Sequence, residues 1–397
     1  MFVKKLIPIA VKNQWHFLKS KVKRSIKYSK PVDLFEYDKN LYWMDPRDIK
    51  YATKHGLHII ENENKILNGN WDYPYIKFND LDVYISIRNR IENGIEWKET
   101  AFYKRVSSEI NKGISKWGCE NLEQLDHRFA SIDVLIQDMR TNGYRTEKYN
   151  DEITVNISRE GLVLLNHGRH RLACAKLLEI KKIPIKITAR HKKWAKLKQE
   201  VLNYATQNNG MVYAPICHID LQSIPSQHQG RFEIIKSNLG ISSGKLLDIG
   251  SHWGYFAHKF EDMGFNCTAI EQNEECFYFL EKLRKSSKKN FKAIKEDIMS
   301  FLGKPQKFDV VIALSIFHWF IRKKDTFQKF KIILSNLKMK EMFFQSHSQN
   351  HTLMQNAYCN FSPEDFVNFI IENSCLDAFK LIGVENNRKI FKIYKTN

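Results

Sequence analysis

Apolar positions near the start of the chain recur at steps of three or four, at Val3, Ile7, Val11, Trp15, Leu18, Val22 and Ile26. At about 3.6 residues per turn this gathers them on one helical face, with lysines opposite. Pro31 ends that segment. From residue 31 to about 145 the pattern is mixed, mostly helical and rich in aromatics. Gly69-Asn70-Trp71-Asp72-Tyr73-Pro74 predicts a loop with an apolar anchor, and Gly94-Ile95-Glu96-Trp97 opens a helix whose Trp97, Thr100 and Tyr103 share a core face. A further helix is predicted from Leu122 to Thr141.

From Asp151 the period shortens to two. Ile153–Ile157 predicts a strand, Arg159-Glu160-Gly161 a turn, and Leu162–Leu165 a second apolar run. Asn166-His167-Gly168-Arg169-His170-Arg171 then leads into a helix over Leu172–Leu178, and Ile183–Ile187 predicts another strand. Residues 196–230 are polar and interrupted by Pro215 and Pro225, which suits a connection between domains. Beyond it, Lys245–Gly250 predicts a buried strand, Ser251–Gly254 a turn, Tyr255–Met263 a helix, and Cys267–Glu271 a strand with an acid at its end. Phe308–Ser315, Met342–Gln345, Phe379–Val384 and Ile390–Tyr394 predict later strands.

A chain of 397 residues, 43% hydrophobic and 27% charged, has room for two cored domains and an appendage. The expected division is a basic helix over 1–30, a domain over 31–195, a linker over 196–230 and a second domain over 231–397. The fold class is α/β. Seven scattered cysteines, with no C-x-x-C pair and no histidine partner at zinc-finger spacing, signal neither a disulfide framework nor a structural metal, and suit a reducing cytosol.

The formal charge of +19 is uneven, since residues 1–30 hold nine Lys or Arg and no acid. Their apolar runs are too short to cross a bilayer or to form a secretory h-region. Such a helix can lie on an anionic membrane surface, with Trp15 and Phe17 at headgroup level. It can also bind nucleic acid or pack on the rest of the chain, and charge alone does not separate these partners.

Two constellations carry candidate chemistry. In the first, Gly168 permits a tight turn into a helix whose opening N–H groups, flanked by Arg169, His170 and Arg171, offer a phosphate or nucleotide site. In the second, Gly250 and Gly254 clear side chains from a loop that must approach a ligand. Asp248 can orient that loop or reach a ligand amine, and Glu271 can accept from two ribose hydroxyls. A dinucleotide site wants G-x-G-x-x-G, because a pyrophosphate sits on the helix start. The string here is Gly250-Ser251-His252-Trp253-Gly254, so a ligand without phosphate fits better.

The segments LLDIGSHWGYF, AIEQNEECF, Lys295-Glu296-Asp297-Ile298 and Phe308–Ser315 resemble, in order, four motifs of the class I S-adenosylmethionine-dependent methyltransferases. The resemblance implies a Rossmann-like domain that binds S-adenosylmethionine, with Asp297 facing the adenine amino group and Leu314 at the substrate-facing end of the fourth strand. Amino-methylating DNA enzymes of that family carry Asp/Asn-Pro-Pro-Tyr/Phe there, whereas this chain has Leu314-Ser315-Ile316-Phe317-His318-Trp319. That string is similar to oxygen-methylating members, some of them in polysaccharide synthesis, and implies His318 as a general base near a hydroxyl acceptor.

Residues 151–191 resemble the ParB-like/sulfiredoxin-like fold, a smaller α+β domain here preceded by a helical extension. Sulfiredoxins carry a cysteine where Arg169 stands and ParB-type proteins a glutamate, so neither chemistry carries over, while phosphate or nucleotide binding by Gly168, His170 and Arg171 does. Together the parts suggest a cytoplasmic, membrane-surface methyltransferase acting on a glycan or a lipid-linked sugar or phosphate. Two alternatives stay open: a nucleic-acid-associated methyltransferase, and a bifunctional nucleotide-dependent phosphotransferase plus methyltransferase.

Overall fold

Two seven-stranded sheets organise the protein in a computed structural model that describes residues 41–54, 56–57, 64–149 and 151–396. The helix expected over residues 1–30 lies outside the described residues. The first sheet comprises β1 (Tyr42–Met44), β2 (Tyr51–Thr53), β3 (Lys65–Leu67), β4 (Tyr75–Lys77), β5 (Ile153–Ile157), β6 (Val163–His167) and β7 (Ile183–His191). Its order is β1-β7-β5-β6-β2-β4, with β3 also pairing with β7. Helices α1 (Asp82–Asn93), α2 (Ala101–Asn111), α3 (Leu122–Asn142), α4 (Arg169–Leu177) and α5 (Lys192–Gln207) accompany it. Helices α1 to α3 bear out the mixed, mostly helical reading of residues 31–145 over the part described, and four short strands add to it. Four strands of three residues each lie between Tyr42 and Lys77, too short for a period of two to show. The aromatic face holds as expected: Thr100 caps α2 by accepting the Tyr103 N–H at 3.2 Å, and Trp97 and Tyr103 are buried.

The second half begins with α6 (Arg231–Lys236) and then alternates strands and helices: β8 (Lys245–Ile249), α7 (Tyr255–Asp262), β9 (Asn266–Ile270), α8 (Glu274–Ser286), β10 (Lys292–Ile294), α9 (Ile298–Leu302), β11 (Gln306–Lys307) and β12 (Val310–Leu314). It ends with α10 (Lys324–Asn336), β13 (Leu337–Lys338), β14 (Glu341–Gln345), α11 (Pro363–Asn373), β15 (Ala378–Glu385) and β16 (Arg388–Tyr394). The main sheet runs β10-β9-β8-β12-β14-β16-β15. Its first five strands are parallel, and β16 runs antiparallel to both β14 and β15. The β8, β12 and β14 strands are buried on both faces at nearly every position, which explains their continuous apolar runs. The chain winds outward from β8 to β10 and resumes on the other side at β12. In open parallel sheets that reversal places a ligand crevice at the carboxyl ends of β8 and β12.

The expected linker over 196–230 is more built than its composition suggests. Helix α5 continues to Gln207, and the following segment buries Asp220 beneath Arg190, Lys198 and the Trp194 indole, at 2.8–2.9 Å from their nearest nitrogens. The two halves share a core, since Trp253, Phe279 and Leu283 pack with the interior of the first sheet. The approach is closest at Gly161, whose φ is +89° and where a Cβ would lie 2.6 Å from that of Ser286 and would clash with the Trp194 ring. Only glycine fits there.

Candidate active site

Three residues of the turn after β8 adopt left-handed backbone: Gly250 (φ 68°), His252 (φ 53°) and Gly254 (φ 78°). The glycines also have packing reasons. A Cβ on Gly250 would lie 2.8 Å from Ile316 Cδ1, and one on Gly254 would press on Leu280 and Phe291 at 3.3–3.4 Å. Glu271 follows β9 and holds the turn, its Oε2 accepting the His252 N–H at 2.9 Å while Oε1 accepts the Asn273 N–H at 2.8 Å. A carboxylate has about four acceptor positions, so it keeps capacity for two hydroxyls. Burial raises the Glu271 pKa against the pull of those N–H groups.

Asp248, the fourth residue of β8, is pushed up to about 7 by burial and by the nearby Glu271 charge. Its Oδ2 and the Ser251 hydroxyl are buried without hydrogen-bond partners in the protein. Buried polar groups are ordinarily paired, so these atoms mark where a ligand's polar groups belong. Asp297 is exposed beyond β10 and caps α9, its Oδ1 accepting from the Ser300 N–H at 2.9 Å and hydroxyl at 3.1 Å. That leaves Oδ2 with acceptor capacity. Leu314 ends β12 opposite Gln345.

Beyond Leu314 the backbone turns at Ser315, whose φ is +56° and whose N–H donates to the Gln345 carbonyl at 2.8 Å. His318 follows in a one-turn helix, only 3% exposed, its ring 4.4 Å from that of His347, which lies 4.0 Å from His351. Both His318 nitrogens, His347 Nδ1 and the Ser346 hydroxyl have no partners. Burial, with the Arg388 charge among its neighbours, lowers His318 to about 4 and His347 to about 3. Both are neutral at physiological pH and are weaker bases than an ordinary histidine.

Sequence reasoning placed His318 here but missed its neighbours. Two guanidiniums converge on the Ser315 hydroxyl, Arg388 Nη1 at 3.2 Å and Arg231 Nη2 at 3.4 Å. These residues stand 73 and 84 positions from Ser315 in the chain, so only the fold unites them. The histidines of Ser346-His347-Ser348-Gln349-Asn350-His351 were the one local signal.

The sequence-predicted anion motif lies away from this cluster. Gly168 (φ 95°) opens α4, and a Cβ on it would meet Ile153 Cγ1 at 2.9 Å. Arg169 is exposed, while His170 is lowered to about 4 by burial and by Arg128 and Arg169. Its Nε2 is unpartnered. Arg171 departs from expectation, being tied to the Asp151 carbonyl and, at 3.0 Å, to the Asp151 carboxylate. It therefore braces the motif as much as it offers charge. Arg105, Arg128, Arg169 and His170 line a cavity of about 670 Å³ with Trp117 and Tyr149.

Residues 247–336, which hold the glycine turn, the acid after β9 and strands β9 to β12, match the family described as "Methyltransferase domain". Over those residues the chain carries an S-adenosylmethionine-dependent methyltransferase domain. Among solved structures it is similar to the bifunctional kinase-methyltransferase WbdD (17% identity, TM-score 0.40), covering 49% of this chain and 46% of that one. TehB from Haemophilus influenzae matches at 13% identity over 42% of this chain and 62% of its own (TM-score 0.33). The T. Thermophilus 16S rRNA N2 G1207 methyltransferase RsmC, in complex with AdoMet and guanosine, matches at 18% identity over 42% of each chain (TM-score 0.32). The chain thus spans about half the length of the WbdD structures it matches. No curated protein matches it. No helix among the described residues is long and apolar enough to cross a membrane.

Proposed function

We propose that the protein transfers a methyl group from S-adenosylmethionine to an oxygen of a surface glycan or of a lipid-linked sugar or phosphate. The supporting observation is the acceptor end itself. In place of a proline-stiffened string for an exocyclic amine, the ends of β12 and β14 carry neutral His318 and His347, respectively, with unpaired nitrogens. Trp319 stands beside them, 48% exposed and 4.9 Å from His318, an apolar ring face suited to the C–H face of a sugar.

Bound at the turn, S-adenosylmethionine supplies a sulfonium methyl that an acceptor oxygen can take. Glu271 fixes the ribose by its two remaining acceptor positions, Asp248 receives the donor's ammonium, and Asp297 meets the adenine amine. Ile316, packed over Gly250, closes the turn from the acceptor side. His318 and His347 orient the acceptor oxygen by hydrogen bonds.

A second reading concerns the cavity at Arg105, Arg128, Arg169 and His170, whose charge and unpaired His170 Nε2 favour a phosphate or nucleotide there, in keeping with the ParB-like/sulfiredoxin-like resemblance. Mass spectrometry of the host's surface glycans with and without the gene tests the acceptor. Loss of a methyl mark supports the proposal, and an unchanged glycan profile with altered nucleic-acid methylation contradicts it.

A further inference from the structure

The charges around Ser315 do not balance. Arg231 is buried and its guanidinium meets Glu385 at 2.9 Å, but Glu385 also accepts His228 Nδ1 at 2.8 Å and the Gly230 N–H at 3.0 Å. That carboxylate is thus shared among Arg231, His228 and Gly230, and it stands across the strand pair from Arg388. Arg388, half-buried at the start of β16, donates to the Ser315 hydroxyl at 3.2 Å, and no carboxylate lies within ion-pair distance of it among the described residues. Burial and the neighbouring Arg231 lower its pKa against the opposing pull of Tyr213 and Glu385, so a single carboxylate serves two guanidiniums here. Arg322 stacks on Trp319 at 5.1 Å at the same end of the sheet. Other polar groups facing this point include the Tyr213 hydroxyl and His228 ring, both on Arg231, the Gln345 amide, the Ser346 hydroxyl and the neutral histidines 318, 347 and 351. A half-buried guanidinium fork is the ordinary receptor for a planar or tetrahedral oxyanion.

We infer that the methyl acceptor is itself an oxyanion, a phosphate monoester or a carboxylate, seated on Arg388 and Arg231 beside Ser315. This rests on the methyltransferase reading above. The chemistry suits the site. A lone pair of the oxyanion forms the O–CH3 bond while the C–S electron pair leaves with sulfur, giving a methyl ester and S-adenosylhomocysteine. One negative and one positive charge cancel, and no proton moves. No general base is required, which fits His318, whose burial makes it a poor one. In this arrangement His318 and His347 donate hydrogen bonds, Arg388 binds, and Ser315 positions Arg388.

The test is calorimetry on the full chain, loaded with S-adenosylhomocysteine in oxyanion-free buffer, titrated with inorganic phosphate and separately with acetate. At least one anion should bind, and Arg388→Ala should weaken it tenfold or more with S-adenosylhomocysteine affinity unchanged. Tighter phosphate assigns a phosphate monoester, and tighter acetate a carboxylate. If Arg388→Ala does not unfold cooperatively, Arg388→Gln, of similar length, carries the same comparison. Binding of S-adenosylhomocysteine with no anion binding, or anion binding indifferent to Arg388, overturns the inference alone. Failure of wild type to bind S-adenosylhomocysteine overturns the methyltransferase reading and the inference with it.

Discussion

The Tyr204 hydroxyl stands 3.3 Å from Nε2 of His252, so the helix that follows the first sheet grips the donor turn. The His252 ring stacks on Trp253 at 5.2 Å, Tyr213 lies 5.1 Å from it, and Tyr204 lies 4.9 Å from Trp253. A left-handed L-residue costs about 1 kcal/mol or more, which these contacts must offset. Tyr204→Ala should lower stability by about 2 kcal/mol and weaken S-adenosylhomocysteine binding several-fold, while Tyr204→Phe, which keeps the ring, should do little. Thermal unfolding and calorimetry check both. Unchanged donor affinity in Tyr204→Ala would separate the turn from the helix that grips it.

The connection between the halves depends on Asp220, whose side chain is 0% exposed and which Arg190 and Lys198 hold ionised, at about 2. Asp220→Ala leaves two buried cations without this counter-ion and should cost about 3–5 kcal/mol. Urea unfolding measures it. A loss below about 1 kcal/mol would mean that other groups neutralise the pair.

The strand β8, the glycine turn and the acid after β9 were legible in sequence because they are local: a run of apolar residues, a turn and a tip residue lie within about 25 positions of one another. The short strands β1 to β4 were not, because three residues carry no period and β1, β2 and β3 pair with strands more than 100 positions away, as when Thr53 Oγ1 donates to the Leu165 carbonyl across 112 residues. Arg231 and Arg388 escaped notice for the same reason. Arg171 was over-read: its motif position suggested an anion ligand, and its Asp151 partner lies ahead of β5, 20 residues back and two strands away, where spacing gives no hint.

Donor affinity should depend on pH through Asp248. Its folded pKa, raised from 3.8 to about 7, means that the unliganded folded state holds a proton which an incoming ammonium must displace. Affinity for S-adenosylhomocysteine should rise about tenfold per pH unit below about 7 and level off above it. The same shift gives the unliganded protein a stabilising contribution that is full below the unfolded value of 3.8 and is lost as pH rises through about 7. Asp248→Asn should flatten both profiles. Calorimetry across that range with an intact slope in Asp248→Asn would assign the titration elsewhere.

The basic residues 1–30, outside the described structure, carry the membrane expectation. Deleting them should abolish salt-sensitive binding to acidic liposomes, each cation contributing about 1 kcal/mol near the surface, and leave donor binding intact. Trp15→Glu should do most of the same damage with nearly all the positive charge retained. Equal liposome binding by wild type and truncation would refute the membrane location.

Calorimetry of the wild-type chain with S-adenosylhomocysteine tests the central claim most directly, alongside Gly250→Val and Glu271→Ala. Wild type should bind. Gly250→Val should lose binding, because a Cβ there strikes Ile316 and the turn is left-handed. Glu271→Ala should lose about 1.5–3 kcal/mol of affinity with its hydroxyl contacts. A folded wild-type protein that shows no heat of binding, or binding indifferent to both substitutions, would contradict the assignment of this turn as the methyl-donor site.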